Sequence, residues 1–162
     1  MALWSAGTNV PADEVRVAVA SNFSTAMKSL VVAFEETSAH TVVLSFGSTG
    51  KHYAQIRNGA PFDIFMAADV ERPRLLETQG LAQTDSRITY ARGKLILWTS
   101  QSGLDDIKNT LLIGQDFRHL AVANPKLSPY GMAAQQVMIK LDVWPRLQSK
   151  LVRGENIAQT FQ

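Results

Sequence analysis

The chain reads as an α/β protein with mostly parallel sheets. Strand-like and helix-like segments alternate β-α-β-α-β-α from Val15 to Gln79, and the junctions fall in short turns rich in Ser, Asn, Gly and Asp. The 162 residues are 46% hydrophobic and 19% charged, a composition able to bury a core in water. Such an alternating order places helices on the faces of the sheet and gathers its functional turns at the carboxyl ends of the strands.

The elements follow in order. Residues 15–20, Val-Arg-Val-Ala-Val-Ala, alternate and are rich in valine, which predicts a strand. Phe23, Met27, Leu30, Val31 and Phe34 then recur at helical spacing on one face, with Ser21 or Asn22 as the N-cap. Residues 41–46 predict a second strand, followed by a Gly-Ser-Thr-Gly turn and a helix to about Arg57. Asn58-Gly59 ends that helix, and Pro61 forces extended backbone. Residues 62–68 predict a third strand with Asp69 at its end, and 70–79 a helix stopped by Gly80.

Beyond this point the rhythm changes. Residues 81–92 read as a connection, 94–99 (Lys-Leu-Ile-Leu-Trp-Thr) as an apolar strand, and 104–112 as a short helix. Residues 120–123 predict a strand ending at Asn124-Pro125, and 126–129 a loop. The helix over 131–141 places Ala134, Val137, Met138 and Leu141 on one face. A further strand is expected within 147–152, and Gly154-Glu155-Asn156 opens a final helix. The division that follows is a tail (1–14), a first α/β lobe (15–86) and a second, partial lobe (87–162).

Composition excludes several classes of function. A formal charge of +2 with no Lys/Arg-rich run argues against nucleic acid. The absence of cysteine removes disulfides, thiolate catalysis and cysteine-ligated zinc. No apolar run is long enough to span a bilayer, and the first fourteen residues carry no basic residue, so they read as a tail before a mature domain. Phe46-Gly47-Ser48-Thr49-Gly50-Lys51-His52 resembles a phosphate-binding loop but has Ser45 and His52 where glycine and a hydroxyl residue are required. His40, His52 and His119 lack metal-ligand spacing. Asp63 and Asp69 fall at opposite ends of a strand, in cap and turn roles. Trp98 and Trp144 read as packing residues and Lys51 as a solvated helix residue. No nucleophile–base pair is present, so the chain reads as a non-enzyme with no metal and no cofactor.

The informative pair is Ala20-Ser21-Asn22-Phe23 and Phe46-Gly47-Ser48-Thr49-Gly50. Each turns from strand to helix and places a hydroxyl at the helix start, where unpaired N–H groups and a partial positive charge favour anions. Two such starts predict a pocket for a small oxyanion that uses no lysine, arginine or metal.

These residues resemble the substrate-binding proteins of bacterial molybdate ABC importers. The likeness is carried by 17–23 (Val-Ala-Val-Ala-Ser-Asn-Phe), 45–50 (Ser-Phe-Gly-Ser-Thr-Gly), 59–69 (Gly-Ala-Pro-Phe-Asp-Ile-Phe-Met-Ala-Ala-Asp), Asn124-Pro125 through Pro129-Tyr130-Gly131, and 152–156 (Val-Arg-Gly-Glu-Asn). It implies a periplasmic-binding-protein-like fold of two α/β lobes that close around molybdate or tungstate, a periplasmic location, and a membrane ABC importer as partner. It also implies the ligands: Ser21 and Ser48 through hydroxyl and N–H, Tyr130 and Ile157 through backbone N–H. Family chains continue past the equivalent of Gln162, completing the second lobe, returning to the first and supplying a ligand tyrosine with no counterpart here. Both lobes are therefore expected to be incomplete, with a second copy of the chain covering the exposed sheet surfaces. A truncated, non-transporting scaffold built on the same fold is the alternative reading.

Overall fold

The protein is described here by a computed structural model covering residues 13–100 and 117–162. The expected helix over 104–112 and the tail residues 1–12, Trp4 among them, lie outside the described residues. Strands β1 (Glu14–Ala20), β2 (Thr41–Gly47) and β3 (Ile64–Met66) form a parallel sheet in the order β2-β1-β3. Helices α1 (Ser24–Glu35), α2 (Thr49–Arg57) and α3 (Glu71–Thr78) alternate with them. A second parallel sheet pairs β4 (Leu120–Ala123) with β5 (Leu151–Gly154), accompanied by α4 (Pro129–Lys140), α5 (Trp144–Leu147) and α6 (Ile157–Phe161).

β1 is central, with a neighbour on each edge, and Val17, Ala18, Val19 and Ala20 are at most 2% exposed. A parallel strand covered on both faces requires such a continuous small apolar run. The second sheet has its own core, in which Val122, Met138, Val143 and Leu147 pack with Leu120, Ala134, Leu141, Trp144 and Leu151 around them. The glycines expected to stop α2 and α3 do so: Gly59 and Gly80 adopt φ of +84° and +69°, a conformation costly for any residue with a Cβ.

Four expectations change. The third strand, expected over 62–68, is confined to Ile64–Met66, because only those residues pair with β1. Residues 94–99 form no strand, because a strand exists only by its ladder and none of the described residues pairs with them. Within that segment Ile96 and Trp98 are 75% and 58% exposed, and Trp98 packs on the Phe161 ring at 5.1 Å. On α1, Met27 and Val31 are half-buried, whereas Leu30 and Phe34 are 53% and 42% exposed. The apolar stripe is wider than the strip that the sheet covers. Finally, β5 starts only at Leu151. Pro145 sits in the first turn of α5, where its fixed φ favours helix, and a 3-10 turn at Gln148–Lys150 follows.

Candidate functional site

The register of β1 and β2 pairs Ala20 with Gly47, so Ser21 and Ser48 leave neighbouring strands at the same level. Ser48 is the N-cap of α2: its backbone is extended (φ −80°, ψ 149°) and its Oγ accepts the Lys51 N–H at 3.3 Å. Ser21 behaves differently. Neither it nor Asn22 caps α1, because a 3-10 turn (Ser21–Phe23) intervenes and α1 begins at Ser24 without a side-chain cap. The Ser21 hydroxyl instead accepts the Ala158 N–H at 3.4 Å, from the first turn of α6. Both serines are buried, at 7% and 3% exposure.

Ile157 opens α6, whose N-cap Asn156 accepts the Gln159 N–H through its side chain at 3.0 Å. Tyr130 follows Pro129 in the first turn of α4, a position where the missing N–H of proline costs nothing. Ser128 precedes it with extended backbone, and it is buried.

Contacts between the two sheet groups bring these turns to one junction. Besides the Ser21–Ala158 bond, the Gly50 N–H donates to the Leu127 carbonyl at 2.8 Å. Lys51 Nζ meets Glu155 Oε1 at 3.3 Å, and Arg72 Nη2 donates to the Lys126 carbonyl at 3.3 Å. Ser21, Ser48 and the start of α6 are thereby gathered, with the 126–130 segment alongside. Tyr130 lines a neighbouring open cavity of about 440 Å³ with Asn22, Phe23 and Tyr90. Ser21, Ser48 and Ile157 do not line that cavity.

The junction is rich in neutral donors, and two cations beside it, Lys51 and Arg72, are committed. Lys51 pairs with Glu155, and Arg72 pairs closely with Asp69 on its own helix start. Asp69 also accepts the Arg72 N–H at 2.9 Å, and Asp63 accepts the Arg16 N–H at 2.7 Å, so both aspartates serve turns and strand ends. Tyr90 donates to the Ala67 carbonyl at 2.8 Å; burial, and then the nearby Tyr130, push its phenol up from the ordinary value. Among the described residues no group of three His, Asp or Glu is placed to hold a metal ion.

Two supporting residues lie behind the serine turns and were not singled out for that role from sequence. Thr49 Oγ1 accepts the Ala68 N–H at 3.0 Å, tying the end of β3 to the start of α2. His52, 2% exposed, bonds Gln55 through Nδ1 at 3.0 Å, while Nε2 lies against Gly47. Burial pushes the His52 imidazole below its ordinary value; the Gln55 side chain and the Val19 backbone oppose the shift only in part. The available signal was helical spacing: Thr49 and His52 are three apart, hence on one face of α2, toward the sheet.

Comparison with known proteins places the chain in context. The family model for bacterial extracellular solute-binding proteins matches residues 15–162. The molybdate-binding protein ModA of Azotobacter vinelandii is 49% identical over 151 residues, spanning 93% of this chain and 60% of the relative. ModA of Rhodobacter capsulatus is 44% identical with the same coverage of 93% and 60%. Among solved structures, the Azotobacter vinelandii periplasmic molybdate-binding protein superposes with a TM-score of 0.86 at 40% identity, over 91% of this chain and 64% of that one. The chain thus spans about 60% of the length of the curated relatives it matches.

Proposed function

Since this chain belongs to the bacterial extracellular solute-binding proteins, we propose that it binds a tetrahedral oxyanion, molybdate or tungstate, and does so without enzymatic chemistry or a cofactor. The observation that carries the reading is the pairing of Ala20 with Gly47, which delivers two buried serines side by side, with Ser21 already bonded to the first turn of α6. Ser21 and Ser48 supply hydroxyl and N–H groups, and Tyr130 and Ile157 supply backbone N–H groups. Hydrogen bonds from neutral donors strengthen when the acceptor is charged, so a dianion can be held without a counter-charge. Selectivity over sulfate then rests on the spacing of the donors, which a larger anion satisfies and a smaller one does not.

The names of the relatives support molybdate as the ligand and a periplasmic location; delivery to a membrane ABC importer is the partner that the sequence resemblance implies. The lobes of the binding protein are 15–86 and 87–162. A second copy of the chain covers the exposed apolar residues Ile88, Ile96, Trp98 and Phe161; light scattering at the monomer mass would remove that part of the reading.

Titration calorimetry with molybdate, tungstate, sulfate and phosphate tests the proposal. Molybdate and tungstate are expected to bind most tightly. Each bond to a charged ligand is worth about 1.5–3 kcal/mol, so Ser21→Ala and Ser48→Ala should each weaken binding roughly 10- to 150-fold. Equal, negligible heat with all four anions, or wild-type affinity in the double variant, would overturn it.

A further inference from the structure

The contact between α2 and the 126–128 loop is closer than helix propensity alone would choose. Gly50 is the second residue of α2, and no left-handed φ calls for glycine there. A Cβ there would lie 2.8 Å from the Leu127 carbonyl oxygen, 3.1 Å from its Cα and 3.2 Å from Arg72 Nη2. The missing side chain is what lets two backbones touch. The Gly50 N–H, one of the donors at a helix start with no partner inside the helix, donates to Leu127 at 2.8 Å.

The receiving loop is held in place by its own bonds. Asn124 accepts the Lys126 N–H through its side chain at 3.0 Å, and its carbonyl accepts the N–H groups of Leu127 and Ser128 at 3.0 and 2.8 Å. Asn124 is itself bonded to the Gly154 carbonyl at 2.8 Å, at the end of β5. The carbonyls of Lys126 and Leu127 are therefore presented from a braced turn. Arg72, anchored by Asp69 and with its side chain 18% exposed, uses its other arm on Lys126.

We propose that Gly50 and Arg72 form a clasp on the Leu127 and Lys126 carbonyls that holds the β1–β3 group closed against the β4–β5 group. Both are positioning residues: they set the serine turns against α4 and α6 without touching the anion. The consequence for affinity rests on the oxyanion reading, but closure itself does not. The exposed Lys51–Glu155 pair adds little to closure, since exposed ion pairs are weak, yet it reports on closure because it forms only when the groups meet.

The test is carbodiimide coupling of Lys51 to Glu155 in the full chain without any oxyanion, read as the cross-linked peptide by mass spectrometry. In Gly50→Ala the ratio of closed to open chain should fall roughly tenfold, equivalent to about 1.4 kcal/mol. Arg72→Lys, which keeps a cation beside Asp69 but lacks the second arm, should lower the yield by a smaller factor and decides the matter if Gly50→Ala does not fold. Wild-type cross-linking in the folded variants overturns the clasp. If the wild-type chain binds molybdate, both variants should lose affinity in step with the cross-link. If it binds none, the oxyanion reading fails while the cross-link still judges the clasp.

Discussion

Residues 17–20 in β1 and residues 95–98 are comparably apolar segments of one chain, yet they end in opposite surroundings. Val17 to Ala20 are at most 2% exposed, between two neighbouring strands. Leu95, Ile96 and Trp98 are 40–75% exposed, and the 94–99 segment has no ladder partner among the described residues. Apolar character supplies the same driving force in both places, roughly 25 cal/mol per Å² of surface removed from water. The difference is that β1 has backbone on both edges and helices returning over the sheet. Burial is a property of the neighbours as much as of the segment.

One substitution at two positions gives the largest contrast. Val19→Lys would place an unpaired ammonium in the centre of the first sheet, and it is expected to abolish folding, since buried charges without partners cost several kcal/mol. Far-UV circular dichroism after purification reads the outcome. A native spectrum with an unchanged melt would show that β1 is not the covered strand.

An intermediate effect is expected from pH. His52 packs beneath β2 against Gly47, and burial lowers its pKa from 6.5, so the unfolded chain binds the proton more readily. The stability that it contributes is complete above pH 6.5 and declines as pH falls through that value toward the lowered folded-state value. Urea unfolding from pH 8 downward should show midpoints dropping below about pH 6.5. His52→Gln should flatten that segment of the profile. An identical slope in the variant would assign the acid sensitivity to other groups.

The smallest change is predicted for Ile96→Lys. At 75% exposure, this substitution should shift the unfolding free energy of an isolated chain by no more than about 0.5 kcal/mol. A loss of several times that is expected only where the proposed second copy covers the segment. Dependence of the loss on protein concentration would then identify a second copy as the cover.

Much of the architecture was legible in residue order. The first two strands, the centre of the third and their helices appear where alternation and helical spacing put them, and Gly59 and Gly80 stop their helices as expected. The Ser48 turn was legible too, because strand end, hydroxyl and helix start are contiguous in sequence, whereas at Ser21 a 3-10 turn separates the strand from α1. The partner of Ser21 was not: Ala158 lies 137 residues away, and nothing near Ser21 distinguishes a cap from a long-range acceptor. Lys51, read as a solvated residue, is exposed as expected but meets Glu155 across 104 residues. The breadth of the α1 stripe said which face was apolar but not how much of it the sheet would cover.

Local backbone preference and side-chain periodicity act over a few residues, so strands, helices, their stops and the hydroxyl-bearing turns follow from the residues themselves. The meeting of those turns with α6, the approach of Gly50 to Leu127 and the exposure of 94–99 belong to the folded arrangement. Such contacts join distant stretches of chain, and each forms only when its gain exceeds the entropy lost in closing the loop between them.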